Sequence, residues 1–135
     1  MNLIVDTSVW SYFLRRRNPD KNNPYVNQLY YHLEKQDCIH LIGVILQELL
    51  SGIKFSKQFE VITHYLEPFP LITDTRAEYI EAARLKNICR KKGVHAGSID
   101  FLITSICINL NFPLLTADID FTNIAKHCDL VLIKP

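Results

Sequence analysis

The sequence lacks the signatures that mark most metal and nucleotide sites. Its four cysteines, Cys38, Cys89, Cys107 and Cys128, contain no C-x-x-C pair, so a zinc site or a disulfide frame is not expected and buried, reduced thiols are. The five histidines also lack metal-ligand spacing. There is no glycine-rich phosphate loop and no nucleophile elbow. No apolar run approaches the ~20 residues that span a bilayer, and Asp6 interrupts the amino-terminal apolar run too early for a signal peptide. Repeats, low-complexity tracts and linkers are missing as well. The expectation is therefore one soluble, cytoplasmic domain over residues 1–135, with no membrane partner.

Strong charge of one sign is the last absence. The net charge is +1, so any nucleic-acid surface must be local. Two basic clusters stand out, Arg15-Arg16-Arg17 and Arg90-Lys91-Lys92. Each falls at the end of a predicted helix, where cations favour the negative end of the macrodipole. They read either as RNA-binding patches or as solvated helix ends.

What is present is a dense, regular alternation. With 48% of 135 residues apolar and 21% charged, the chain can bury a real core. Short apolar runs read as strands at Leu3-Ile4-Val5, Ile39 to Ile42, Phe69 to Ile72, Pro113 to Thr116 and Leu130 to Ile133. Between them lie helical patterns over Ser8–Arg17, from Pro24 (capped by Asn23) to about Lys35, Val44–Leu50 and Ser56–Leu66. Three more follow: a helix from a Thr75/Glu78 capping box to about Lys91, one over Ile99–Leu110 capped by Ser98, and a short one over Phe121–His127. Gly52 and Gly93 stand where two of these helices should stop. The pattern predicts a three-layer α/β/α fold around a central, mostly parallel sheet of about four to five strands. Two helices between the third and fourth strands are one too many for a simple crossover. Either that pair or the two helices after the second strand should project beside the sheet.

Five acids stand where strands end or helices begin: Asp6, Glu48, Asp100, Asp118 and Asp120. Each has an ordinary explanation. Asp6 fits a helix cap, Glu48 a solvated helix face, Asp100 a carboxylate at the positive end of a helix, and Asp118 and Asp120 turn residues. Together they mean more, because strand carboxyl ends and helix amino ends meet at one edge of an α/β sheet. Two ionised carboxylates ~5 Å apart repel by ~3 kcal/mol at an effective dielectric near 20, so such a cluster calls for a cation. Oxygen-only ligands select Mg²⁺ or Mn²⁺, the ions used for phosphodiester hydrolysis.

Four segments carry a resemblance: Val5-Asp6-Thr7-Ser8-Val9-Trp10, Gln47-Glu48-Leu49-Leu50-Ser51-Gly52, Gly97-Ser98-Ile99-Asp100-Phe101-Leu102-Ile103 and Leu114-Leu115-Thr116-Ala117-Asp118-Ile119-Asp120-Phe121. In this order and spacing the chain resembles PIN-domain nucleases, and among them the small VapC-type ribonuclease toxins of toxin–antitoxin pairs. The resemblance implies Mg²⁺- or Mn²⁺-dependent endonucleolytic cleavage of RNA, a homodimer, and inhibition by a cognate antitoxin. It implies that Asp6, Glu48, Asp100 and Asp118 are the catalytic, metal-binding quartet. Asp120 matches an auxiliary acid, and Ser8 and Thr116 match polar positions that support the site. With Asp6 on metal, capping of the first helix falls to Thr7 or Ser8. The loop at His95-Ala96 departs from the pattern, which has hydrophobic residues there more often. Two other readings compete. One is a non-catalytic RNA- or partner-binding module on the same fold. The other is an aspartyl-phosphate phosphotransferase, which would show a second acid where Ser8 stands.

Overall fold

The computed structural model describes residues 1–15 and 22–135, apart from the side chain of Arg15. Arg16 and Arg17 of the first basic cluster therefore lie outside the described residues, and only the backbone of Arg15 is placed. The element order is β1 (Asn2–Val5), α1 (Thr7–Arg15), α2 (Pro24–Glu34), β2 (Cys38–Ile42), α3 (Gly43–Leu50) and α4 (Ser56–Leu66). It continues with β3 (Leu71–Ile72), α5 (Arg76–Lys91), α6 (Ser98–Leu110), β4 (Leu114–Leu115) and α7 (Ile119–Ala125).

The four strands form one sheet in the order β3-β2-β1-β4, and every pairing is parallel, with Leu3 opposite Ile39, Ile4 opposite Leu114 and Leu41 opposite Leu71. Two crossovers step away from β1 in one direction, and the third returns across it to β4. The helices divide accordingly. α1 packs on α2 and α3, and α3 on α4, while α6 packs on α5 and α7. This is the expected three-layer α/β/α arrangement. β1 lies at its centre, with Leu3, Ile4 and Val5 fully buried, and Trp10 just beyond it packs edge-on against Phe69 at 5.3 Å.

Burial also settles which helices are peripheral. From Phe101 to Cys107 every residue of α6 is buried, so α6 is an interior helix and carries α5 on its outer side. α4 buries only Ile62 and Leu66 and sits at the margin of the fold.

Several boundaries differ from expectation for local reasons. Pro70 has no N–H and Phe69 donates to Leu66 O in a turn (3.2 Å), so β3 starts at Leu71. The predicted last strand is reduced to a bridge between Leu114 and Leu132, because β4 is only two residues long and offers no further ladder. α6 is capped from Gly97, not Ser98. Ser98 is its first residue and accepts a hydrogen bond from Lys86 Nζ at 2.8 Å. α7 begins at Ile119, one half-turn earlier than the apolar pattern suggests, because Asp118 caps it. The Asn23 cap, the Thr75/Glu78 capping box and the positive-φ glycines Gly52 and Gly93 stand where they were expected. Of the thiols, Cys89 and Cys107 are buried and free, but Cys38 is exposed and Cys128 only partly covered.

Candidate metal centre

Chain order and sheet order part company between β1 and β4. The crossovers after β1 and β2 run to one side of β1 and the one after β3 returns to the other. The carboxyl ends of β1 and β4 therefore form the switch point at which open α/β sheets place their sites. β1 delivers Asp6 there and β4 delivers Thr116, Asp118 and Asp120, while α6 brings Asp100 in from its first turn. One carboxylate oxygen from each of Asp100, Asp118 and Asp120 lies within 4.8 Å of the others. Among the described residues no other group of His, Cys, Asp or Glu converges in this way.

Asp6 and Glu48 lie outside that set, although both had been expected inside it, and Asp120 lies within it rather than beside it. Asp6 is nonetheless bound to its neighbours by a compact network. Its Oδ2 accepts from Ser8 Oγ at 2.8 Å, from Thr116 Oγ1 at 2.9 Å and from the Ser8 N–H at 3.4 Å. None of these bonds falls on Oδ1. The Ser8 and Thr116 hydroxyls spend their only protons on Asp6, so their 3.3 Å separation is a contact between two acceptors' lone pairs and not a third bond. Their lone pairs do further work. Ser8 Oγ accepts the Ala117 N–H at 3.0 Å and Thr116 Oγ1 the Asp118 N–H at 3.0 Å. The two hydroxyls thus tie the loop after β4 to the end of β1.

Asp6 also caps α1, which corrects the expectation that Thr7 or Ser8 would. Its carbonyl accepts from Val9 and Trp10, and its carboxylate takes the Ser8 N–H. Thr7 is thereby free for another partner: its hydroxyl donates to Glu48 Oε2 at 2.8 Å. This contact crosses from α1 to α3 and orients the only acid that α3 carries. Asp118 is built like Asp6, with Oδ1 accepting the Asp120 N–H at 2.9 Å as the cap of α7. In Asp6, Asp118 and Glu48 alike, one oxygen is engaged by the fold in these bonds and the other is not.

Asp100 shows the electrostatic consequence. Partial burial, then the neighbouring charge of Asp118, then those of Asp6 and Asp120, push its carboxyl up to about 6; a backbone hydrogen bond from Gly97 opposes the rise and loses. An acid held this way is destabilised by like charge, and a cation among the carboxylates would offset that repulsion and favour their ionised forms. The donor set is all oxygen, which suits a hard divalent ion.

The remaining sequence candidates are scattered. Arg90 lines a cleft on the outer side of α5 and α6 together with Lys86, Ser98 and Ile99. Lys91 and Lys92 are exposed at the end of α5. A cleft of about 460 Å³ between α5, α6 and the segment after α7, floored by Leu85, Ile88 and Ile108, does not include any of the five acids. No helix is long and apolar enough to cross a membrane among the described residues. The Thr7–Glu48 bond is the main feature that sequence reasoning missed. Its only trace there was a hydroxyl placed directly after Asp6.

Comparison with known proteins agrees with this architecture. The PIN domain family model matches residues 3–127. The fold is similar to VapBC2 from Rickettsia felis, solved bound to a DNA fragment from its promoter (TM-score 0.76, 22% identity, 98% of each chain covered). It is also similar to VapBC-1 from nontypeable Haemophilus influenzae (TM-score 0.76, 19% identity, 99% of this chain and 98% of that one). FitAcB from Neisseria gonorrhoeae superposes with a TM-score of 0.71 at 20% identity, over all of this chain and 98% of the other. No curated protein matches the sequence.

Proposed function

The chain belongs to the PIN domain family, and on that premise we propose that it is a Mg²⁺- or Mn²⁺-dependent endoribonuclease, the toxin of a type II toxin–antitoxin pair. The observation that carries the reading is the convergence of Asp100, Asp118 and Asp120 beside Asp6 at the carboxyl ends of β1 and β4. Asp100, Asp118 and Asp120 would hold the ion, with Asp6 and Glu48 completing the acidic wall. When bound, a divalent ion lowers the pKa of a ligated water and offsets charge on the phosphate and leaving oxygens.

The other side chains act by positioning. Ser8 and Thr116 fix the orientation of Asp6 through its Oδ2. Thr7 fixes the orientation of Glu48 through its Oε2. Asp118 holds the first turn of α7 and with it Asp120. These hydrogen bonds keep the carboxylates from relaxing apart under their mutual repulsion.

The toxin role rests on the resemblance to VapC-type proteins and agrees with the likeness in fold to VapBC2, VapBC-1 and FitAcB. It brings with it a cognate antitoxin partner, a homodimer and a cytoplasmic location. Incubating the purified chain with structured RNA in Mn²⁺, in Mg²⁺ and in EDTA tests the chemistry. Cleavage in either metal, its absence in EDTA, and its loss in Asp6→Asn are expected. RNA bound but left uncut in Mn²⁺ would replace the nuclease with the non-catalytic binding module. A small basic DNA-binding protein encoded immediately upstream would support the toxin role.

A further inference from the structure

One polar pocket opens directly off the candidate metal centre. It has a volume of about 430 Å³ and is walled by Gly93, Val94 and His95 on one side and by Asp120, Asn123, Lys126 and His127 on the other. That volume falls in the range of small-ligand sites, ~300–1,000 Å³. Asp120 belongs both to this pocket and to the converging carboxylates, so whatever fills the pocket abuts the reacting groups.

The walls are built before any ligand arrives. Gly93 N–H donates to Arg90 O at 3.1 Å and Val94 N–H to Cys89 O at 2.9 Å, which ties the loop to the end of α5. Gly93 takes a φ of +80°, open to glycine at little cost. On the facing wall Asp120, Asn123 and His127 recur at helical spacing along α7 and the turn after it, where His127 N–H donates to Ile124 O at 3.0 Å. Lys126 Nζ reaches Asn123 Oδ1 at 3.4 Å.

The lining chemistry narrows the occupant. Val94 is its only large apolar member. The others supply an ammonium, two imidazole rings, a carboxamide that can both donate and accept, and one carboxylate. An apolar peptide segment would find little to bury against here. A nucleotide would find a cation for its phosphate, rings for its base to stack on, and a donor–acceptor pair for the base edge.

We propose that this pocket seats one unstacked nucleotide of single-stranded RNA next to the scissile phosphate, with Lys126 on the backbone and His95 and Asn123 on the base. The assignment rests on the ribonuclease reading above and adds to it where substrate is held and which residues select it. His127 closes the far wall.

The test separates binding from cutting. Fluorescence anisotropy of a labelled single-stranded RNA, in EDTA and over a salt series, reads binding by the full chain and by Lys126→Ala, His95→Ala and Asn123→Ala. Mapping of cleavage products in Mn²⁺ reads selection. Lys126→Ala should weaken binding and lower the slope of log affinity against log salt by about 0.7, one phosphate contact on a single strand. His95→Ala should weaken binding roughly fivefold or more, as for the loss of one stacked base. Asn123→Ala should redistribute cleavage among sites. Melting temperatures should stay near the parent's, because Lys126 and His95 are exposed and Asn123 is only partly covered. A parent that cuts RNA while all three variants bind and cut as it does would overturn the pocket and leave the nuclease intact. A parent that cuts nothing, with variants that still lose binding, would keep the pocket and sink the nuclease.

Discussion

Asp100 and Glu78 occupy the same position in neighbouring helices. Each is the third residue after its cap, Gly97 for α6 and Thr75 for α5, and each has a carboxylate bonded back to the backbone at that cap. By position in their helices they are equivalent. Yet Glu78 is held below the usual carboxylate range, first by the Thr75 hydroxyl and then by backbone donors, with Asn109 adding a bond at 3.4 Å. Asp100 is pushed up to about 6, first by burial and then by Asp118. Several hydrogen bonds outweigh burial at Glu78, whereas the one at Asp100 fails where burial and three carboxylates act together. Glu78 is an acid completed by its fold. Asp100 is an acid that the fold leaves incomplete.

The largest test of this contrast is catalytic. Asp100→Asn should reduce RNA cleavage to background, whereas Glu78→Gln should leave the rate near the parent's, both read on the same RNA in Mn²⁺. If Glu78→Gln cuts as poorly as Asp100→Asn while remaining folded, the division between the two acids is wrong. Next come the hydroxyls that hold the crowded side in place. Thr116→Val or Thr7→Val should lower cleavage about 10–100-fold, the usual effect of removing a partner that orients a metal ligand, and Mn²⁺ titration should show weaker binding for Thr116→Val.

On the completed side, Thr75→Ala removes the cap and the main donor to Glu78 together. It should cost about 0.5–2 kcal/mol of stability in urea unfolding and leave the salt and metal dependence of cleavage unaltered. Smallest, but opposite in sign for the two acids, is the response to pH without metal. Asp100 titrates near 6 when folded against 3.8 ordinarily, so between those values the folded chain holds more protons and stability falls as pH rises. Glu78 is shifted down from 4.5, so its stabilisation is present above that value and is lost as pH falls below it. Melting temperatures across pH 3.5–7 should therefore lose their fall toward pH 6 in Asp100→Asn and part of their acid limb in Glu78→Gln. A curve for Asp100→Asn that parallels the parent's through that window would show that the crowding carries no energy.

Much of this was legible in the order of residues. The Leu3–Val5 strand, the Asn23-Pro24 start, the Thr75/Glu78 box and the Gly52 and Gly93 stops each depend on neighbours within a turn or two, which is the range over which sequence pattern is informative. The identities of the five acids were legible for the same reason, since each sits at an element boundary. Which of them come closest was not. Asp120 enters the converging set and Glu48 does not, and Asp6 doubles as the cap that Thr7 or Ser8 was expected to be.

By itself, then, the sequence determined the strands, the helices, their ends and the carboxylates that ride on them, because hydrophobic period and capping chemistry are local. Only the tertiary structure decided what those carboxylates become. Placing β4 against β1 sets Thr116 on Asp6 across 110 positions, packing α1 on α3 sets Thr7 on Glu48 across 41, and the start of α6 lies where Asp100 meets Asp118 and Asp120. Asp100 and Glu78 share one local rule. Long-range packing, through burial and like charge at close quarters, shifts their carboxyls in opposite directions.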